Sequence, residues 1–231
     1  VIRLPERAAL FLDLDGTLID IAPTPDSVVV PPGLPETLLA LRAKLSDALA
    51  IVTGRPVAQA DALLPGVAYA VAGEHGGAIR SSPAGAVIRA EVPPLPPSWL
   101  DRAQALAALH PGSILERKAD SFVLHYRLAP EAGPLFKAAL DDMLAGSAHH
   151  FVGASHMAWE VKPAGIDKGR AVDALMAMAP FAGRVPVFIG DDVTDEDGMR
   201  AARSHGGLGL RVQAHFADAA GVRRWLAALL S

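Results

Sequence analysis

Three short apolar runs punctuate the chain, and each one stops at polar residues. Ala8–Leu12 is followed by Asp13-Leu14-Asp15-Gly16-Thr17, Ala48–Val52 by Thr53-Gly54-Arg55, and Val185–Ile189 by Gly190-Asp191-Asp192. Runs this short and this continuously apolar fit strands of a parallel sheet that are buried on both faces. Between them apolar residues fall at helical spacing. Leu34, Leu38, Leu41 and Leu45 share one face, with Pro35 in the first turn. Val57, Ala60 and Leu64 follow the second run behind Pro56, and Val172, Leu175 and Met176 mark a further helix. Val222, Trp225, Leu226, Leu229 and Leu230 make an apolar stripe near the C-terminus. Strands alternating with helices predict an α/β fold.

The middle of the chain breaks that rhythm. Ser81-Ser82-Pro83-Ala84-Gly85 is rich in turn formers, and Val92-Pro93-Pro94-Leu95-Pro96-Pro97 forbids regular helix or a central strand. Beyond it, Ser121–Arg127 and His156–Val161 read as strands and Pro134–Leu144 as a helix. The pattern predicts a Rossmann-like parallel-sheet core, residues 1–80 and 163–231, interrupted by an α+β insertion at 81–162. His149 and His150 are adjacent, so they point apart on a helix or strand and do not share a metal; both are expected to be exposed.

Composition narrows the functional classes. Of 231 residues, 51 % are hydrophobic and 20 % charged, enough apolar content to build a core. With 21 basic against 25 acidic residues the net charge is −4, which does not suit a general polyanion binder, so no nucleic acid partner is expected. Cysteine is absent, which removes disulfides, thiolate zinc sites and thiol nucleophiles. No apolar run reaches the ~18 to 20 residues of a membrane span, and residues 1–7 are broken by charges. A cytoplasmic monomer without membrane partners is expected.

The candidate chemistry sits at the ends of the three apolar runs. In open α/β sheets, ligands bind beyond the carboxyl ends of the strands. That edge collects Asp13, Asp15, Thr53, Arg55, Asp191 and Asp192. A single Asp after a strand is ordinarily a helix N-cap, but three sequence-distant strand ends with polar groups point to a site. Clustered carboxylates repel unless a cation or protons compensate. Oxygen donors without Cys or paired His favour Mg2+, and a divalent metal flanked by Asp suits phosphoryl transfer. Asp is able to serve as a nucleophile through an aspartyl-phosphate. Asp15, two residues on, points the same way in an extended chain and is placed to handle the leaving-group proton. The hydroxyl and amides of Thr53-Gly54-Arg55 suit a phosphate. Lys168, between Asp167 and Gly169 at a helix start, offers a point charge for the phosphoryl group; its bland alternative is a solvated surface lysine.

The order Asp-x-Asp-Gly-Thr, Thr-Gly-Arg, Lys, Gly-Asp-Asp resembles the haloacid-dehalogenase superfamily of phosphatases, and the insertion resembles that superfamily's type 2 cap domain. Within it, Gly190-Asp191-Asp192-Val193-Thr194-Asp195-Glu196-Asp197, Glu74-His75-Gly76, Glu116-Arg117-Lys118, His125-Tyr126-Arg127 and Trp159–Pro163 are similar to the trehalose-phosphate phosphatases. One departure is Gly198-Met199, where a small residue followed by an aromatic is expected.

The resemblance implies Mg2+-dependent hydrolysis of a sugar phosphate, trehalose 6-phosphate first, with Asp13 as nucleophile and Asp15 as general acid and base. It implies that the Asp13 carboxylate, the Asp15 backbone carbonyl and Asp191 hold the metal, with Asp192 and Asp195 at or beside it, and that Thr53 and Lys168 hold the phosphoryl group. It also implies that Glu116, Lys118 and Glu160 reach sugar hydroxyls from the cap, with Arg55 and His75 contacting substrate. Each of these has an ordinary alternative. Glu116 and Lys118 fit a solvated face, and Glu160 an exposed strand position opposite Trp159 and Val161. Arg55 fits a pair with a core carboxylate, and His75 a brace for its glycine-rich turn. His125 and Arg127 share a strand face and either line the cap or brace its core. Rival functions are another sugar phosphatase acting on sucrose phosphate or mannosyl-phosphoglycerate, a phosphotransferase or mutase, and a non-catalytic module with a degenerate site.

Overall fold

The structure is a computed structural model that describes residues 2–22, 27–118, 120–155 and 157–231. The chain divides into two compact units, residues 1–90 with 167–231, and residues 91–166.

The first unit is built on a seven-stranded sheet. In chain order it contains β1 (Ala8–Leu12), α1 (Leu34–Lys44), β2 (Leu49–Val52), α2 (Val57–Leu63), β3 (Ala70–Gly73), β4 (Ala78–Arg80) and β5 (Val87–Arg89). After the second unit follow α5 (Lys168–Met176), β10 (Val185–Gly190), α6 (Asp195–Ser204), β11 (Leu208–Arg211), α7 (Val212–His215) and α8 (Ala219–Ala228). The sheet order is β11-β10-β1-β2-β3-β4-β5. The first five strands run parallel, and β4 and β5 join antiparallel at one edge. Every residue of β1, β2 and β3 is buried, so both faces need helical cover. α1 packs with α8, and α5 with α6. The predicted face of α1 is buried at Leu34, Leu38 and Leu41. Near the C-terminus Val222 and Leu226 are fully buried while Leu230 is exposed.

The second unit contains α3 (Pro97–Leu109), β6 (Ile114–Arg117), β7 (Phe122–His125), α4 (Ala132–Met143), β8 (His150–Ser155) and β9 (Ala158–Pro163). Its sheet is antiparallel throughout, in the order β6-β7-β9-β8. α3 and α4 bury Ala103, Ala107, Phe136, Leu140 and Met143 against Phe122, Leu124 and Val161. His156, at the start of the strand predicted there, lies outside the described residues.

Three expectations need correction. Residues 81–90 do not open the insertion: β5 pairs with β4 through Ala78↔Arg89 and Arg80↔Val87, so the turn formers at 81–86 close a hairpin of the first sheet. At the other end β9 continues to Pro163, opposite His150, and Ala164 N–H donates to His149, which keeps 163–166 with the second unit. His150 is buried, its ring edge-on to Trp99 at 5.2 Å, and burial lowers its pKa. Among the described residues no helix is long and apolar enough to cross a membrane.

Phe136 is fully buried in the smaller core, with His110 edge-on to its ring at 5.3 Å. Phe136→Ala is expected to cost about 3–5 kcal/mol. In hydrogen exchange, amides of β7 and β9 then lose protection while those of β1 and β10 keep theirs.

Candidate phosphoryl-transfer site

The ends of β1, β2 and β10 carry the acidic and hydroxyl groups. Asp13 continues the pairing of β1, its N–H donating to the Ile189 carbonyl. The chain then turns tightly, with the N–H groups of Leu18 and Ile19 both donating to Leu14 C=O. Gly16 makes the turn with φ +79°, and a Cβ there would stand 2.3 Å from Asp191 Oδ2. Glycine is thus required twice, by backbone conformation and by the close approach of Asp191.

Asp13 is nearly fully buried and is held from two sides. Lys168 Nζ lies 2.6 Å from its Oδ1, and Thr17 Oγ1 donates to its Oδ2 at 3.1 Å. The ammonium also donates to Asp195 Oδ1 at 2.6 Å, and both Lys168 and Asp195 are buried. Lys168 is the first residue of α5, which Asp167 caps by accepting from the Arg170 N–H. The solvated-surface alternative for Lys168 therefore does not hold. The second oxygen of Asp195 accepts from the N–H groups of Asp191 at 3.0 Å and Asp192 at 2.9 Å. Gly190 permits this: a Cβ there would fall 2.2 Å from the Asp195 carboxyl carbon.

Asp13, Asp191 and Asp195 each place one carboxylate oxygen within 4.8 Å of the others. Three carboxylates share this space with the Lys168 ammonium. The Asp13 carboxyl is raised to about 7, by burial above all, with Lys168 opposing the rise and Asp195 adding to it. Asp191 is raised too, by burial and then by Asp195 and Asp192. Burial pulls the Lys168 pKa down, but the two carboxylates outweigh it and the net shift is upward. The cluster is short of positive charge, and its donors are all hard oxygens, which fits a divalent cation such as Mg2+. Asp195 is fully buried and its oxygens already meet one ammonium and two backbone N–H groups, whereas among the described residues Asp13 Oδ2 meets a single hydroxyl and Asp191 is only half-buried, which makes Asp13 and Asp191 the better placed ligands. Asp192 is exposed and its Oδ1 accepts from the Val193 N–H.

Asp15 stands apart from the three carboxylates. Arg55 grips it with two hydrogen bonds, Nε to Oδ2 and Nη2 to Oδ1, both 2.7 Å. Arg55 is mostly covered, while the Asp15 side chain keeps 36 % of its surface exposed. Of the two readings of Arg55, the structure gives the pairing with a carboxylate. Thr53 is buried, and its hydroxyl oxygen accepts from the Arg55 N–H at 3.1 Å. Glu74 and His75 both take left-handed φ, +52° and +55°. Their N–H groups donate to the carbonyls of Arg55 and Thr53, and the His75 ring lies against Gly54, where a Cβ would be 2.7 Å from it.

Within the second unit, Glu116, Glu160 and His125 share the sheet face opposite the one that α3 and α4 cover. Glu116 and Glu160 flank Val123 across the sheet, and His125 is two residues further along β7. Lys118 Nζ donates to Glu160 at 3.0 Å, Ser121 Oγ donates to the same oxygen at 3.2 Å, and His125 Nε2 lies 2.8 Å from Glu116. Sequence reasoning did not single out Thr17 or Ser121. Their signal was short range: a hydroxyl one residue after a left-handed glycine, and one three residues after Lys118.

A family model described as trehalose-phosphatase matches residues 11–223. The chain is 40 % identical over 205 residues to a probable trehalose-phosphate phosphatase of Sinorhizobium fredii, covering 88 % of this chain and 77 % of the relative. It is 35 % identical over 211 residues to the trehalose-6-phosphate phosphatase of Escherichia coli, covering 91 % and 79 %. The fold is similar to the C-terminal domain of the C. albicans trehalose-6-phosphate phosphatase, with TM-score 0.77 at 20 % identity over 98 % and 94 % of the two chains. It is also similar to a haloacid dehalogenase-like hydrolase from Bacteroides thetaiotaomicron, with TM-score 0.68 at 16 % identity over 97 % and 100 %. On these likenesses the chain is a phosphoric monoester hydrolase and belongs to the trehalose-phosphatase family.

Proposed function

We propose that this chain hydrolyses trehalose 6-phosphate to trehalose and inorganic phosphate through an aspartyl-phosphate on Asp13. The observation that carries the reading is the environment of Asp13. It is a buried carboxylate at a strand end, fixed by Lys168 and Thr17, with a second, more exposed carboxylate two residues on. The names of the relatives support the choice of sugar.

In this reading an Asp13 oxygen attacks phosphorus in line, and the bond from phosphorus to the sugar oxygen breaks. Asp15 gives its proton to that oxygen. Asp15 then takes a proton from water, whose oxygen attacks phosphorus and displaces the Asp13 carboxylate. Thr53 and Lys168 hold the phosphoryl oxygens. Asp15 must carry a proton to act as an acid, so its two-point grip by Arg55 opens on at least one oxygen during turnover. Asp13 and Asp191, with the Asp15 backbone carbonyl, are the groups that would hold Mg2+, and Asp192 and Asp195 stand beside them. When bound, the ion supplies positive charge to the phosphoryl oxygens and to the crowded carboxylates. Glu116, Lys118 and Glu160 present acceptors and a donor suited to sugar hydroxyls. His75 braces the turn beside Arg55.

Phosphate release with Mg2+ from trehalose 6-phosphate, glucose 6-phosphate, sucrose 6-phosphate and an aryl phosphate tests the reading. Strong preference for trehalose 6-phosphate is expected, and Asp13→Asn is expected to lower kcat at least about 10⁴-fold with the fold intact. Equal turnover of all four contradicts the sugar reading, and an active Asp13→Asn contradicts the nucleophile.

The raised carboxyl of Asp13 gives a pH signature. A buried acid whose pKa is raised binds more protons folded than unfolded, so its contribution to stability falls as pH rises from about 4 to about 7. In chelator, Asp13→Asn is therefore expected to melt above the wild type at pH 8, by a margin that narrows at pH 5. Saturating Mg2+ raises the melting temperature of the wild type and not of the variant. A margin that is independent of pH contradicts the assignment.

A further inference from the structure

Resting on the reading of Asp13 and Asp191 as metal ligands, we infer that Arg211 is a positioning residue for the metal, fixing the backbone that aims the Asp191 carboxylate. Arg211 is the last residue of β11 and lies beside Gly190 in the parallel register. Its Nη1 donates to the Asp191 carbonyl at 3.3 Å and its Nη2 to the Asp192 carbonyl at 3.5 Å. Glu196, in the first turn of α6, holds the same guanidinium through Nη2 at 2.7 Å and Nε at 3.0 Å.

The two peptide groups around Asp191 decide where its side chain points. The N–H of Asp191 and the N–H of Asp192 both end on the buried Asp195 Oδ2. The Asp191–Asp192 peptide is therefore pinned at both poles, its N–H by an anion and its carbonyl by Arg211. With both flanking peptides held, φ and ψ of Asp191 are set before any ligand arrives. Without Arg211 the second peptide is held at its N–H alone and is free to tilt about that one bond. Only a planar fork with several donors meets two carbonyls and a carboxylate together; a lysine offers a single ammonium point. Groups that orient metal ligands in this way are commonly worth tenfold or more in metal affinity.

Magnesium binding by the intact chain, titrated calorimetrically at constant pH and ionic strength, tests this. Arg211→Gln is expected to weaken magnesium affinity about tenfold. The melting temperature in chelator is expected to stay close to wild type. Arg211→Lys recovers part of the affinity, and Glu196→Gln, which frees the guanidinium from one side, loses less than Arg211→Gln does. Wild-type affinity in Arg211→Gln overturns the inference. Should that variant fail to fold, wild-type affinity in both Arg211→Lys and Glu196→Gln overturns it equally. Asp191→Asn serves as the control: if it binds magnesium as tightly as wild type, the metal reading itself falls, and the role of Arg211 with it.

Discussion

The Lys168 ammonium, buried 2.6 Å from a carboxylate oxygen of Asp13 and 2.6 Å from one of Asp195, is the contact on which the site depends. It ties the end of β1 to the first turns of α5 and α6, segments remote in sequence. Either carboxylate buried alone would carry a large desolvation cost, and taking away the ammonium would leave both facing one another without compensation. Asp195 passes the constraint on, because its other oxygen gathers the amides of Asp191 and Asp192. One ion triad thus fixes three strand-end and helix-start segments in a single arrangement. The neighbouring glycines are what allow it: Gly16 makes room for Asp191, and Gly190 for Asp195.

The two acidic residues of the first motif are held quite differently, and that difference suits different chemical tasks. Asp13 is buried and bound on both oxygens, so its carboxylate is held in one position. Asp15 keeps more than a third of its side chain exposed and, among the described residues, is held by Arg55 alone. A nucleophile gains from being fixed in place, whereas a group that donates and later removes a proton has to change partners. Burial first, and then the neighbouring carboxylates, raise the Asp13 and Asp191 carboxyls, and the surplus negative charge gathered there is the complement of a divalent cation.

Much of this was legible in the sequence. The runs at Ala8–Leu12, Ala48–Val52 and Val185–Ile189 became neighbouring parallel strands because a two-sided buried strand has a distinctive, continuously apolar pattern. Their polar ends then had to meet at one edge. What the sequence left open was where long side chains go. Arg55 and Lys168 each had an exposed or a paired reading, and only the fold shows that one meets Asp15 and the other Asp13. Arg211 carried no signal, since its partners are two backbone carbonyls on a neighbouring strand end and a carboxylate, Glu196, fifteen residues away. His150 was misjudged because a pair of histidines beside a turn gives no sign of the Trp99 ring that covers one of them. The hairpin of β4 and β5 is hidden in the sequence because β5 is only three residues long, Val87-Ile88-Arg89, and follows a stretch of turn formers, too short to show the apolar run that marks the inner strands.

The role of Asp13 as nucleophile is tested most directly by acid-quenching the enzyme during turnover of trehalose 6-phosphate carrying labelled phosphorus, then mapping the label by peptide mass spectrometry. The expected result is label on the peptide containing Asp13, removed by hydroxylamine and absent from Asp13→Asn. Label on another residue, or turnover with no labelled enzyme when Asp15 is replaced by Asn to slow hydrolysis of the intermediate, would contradict it.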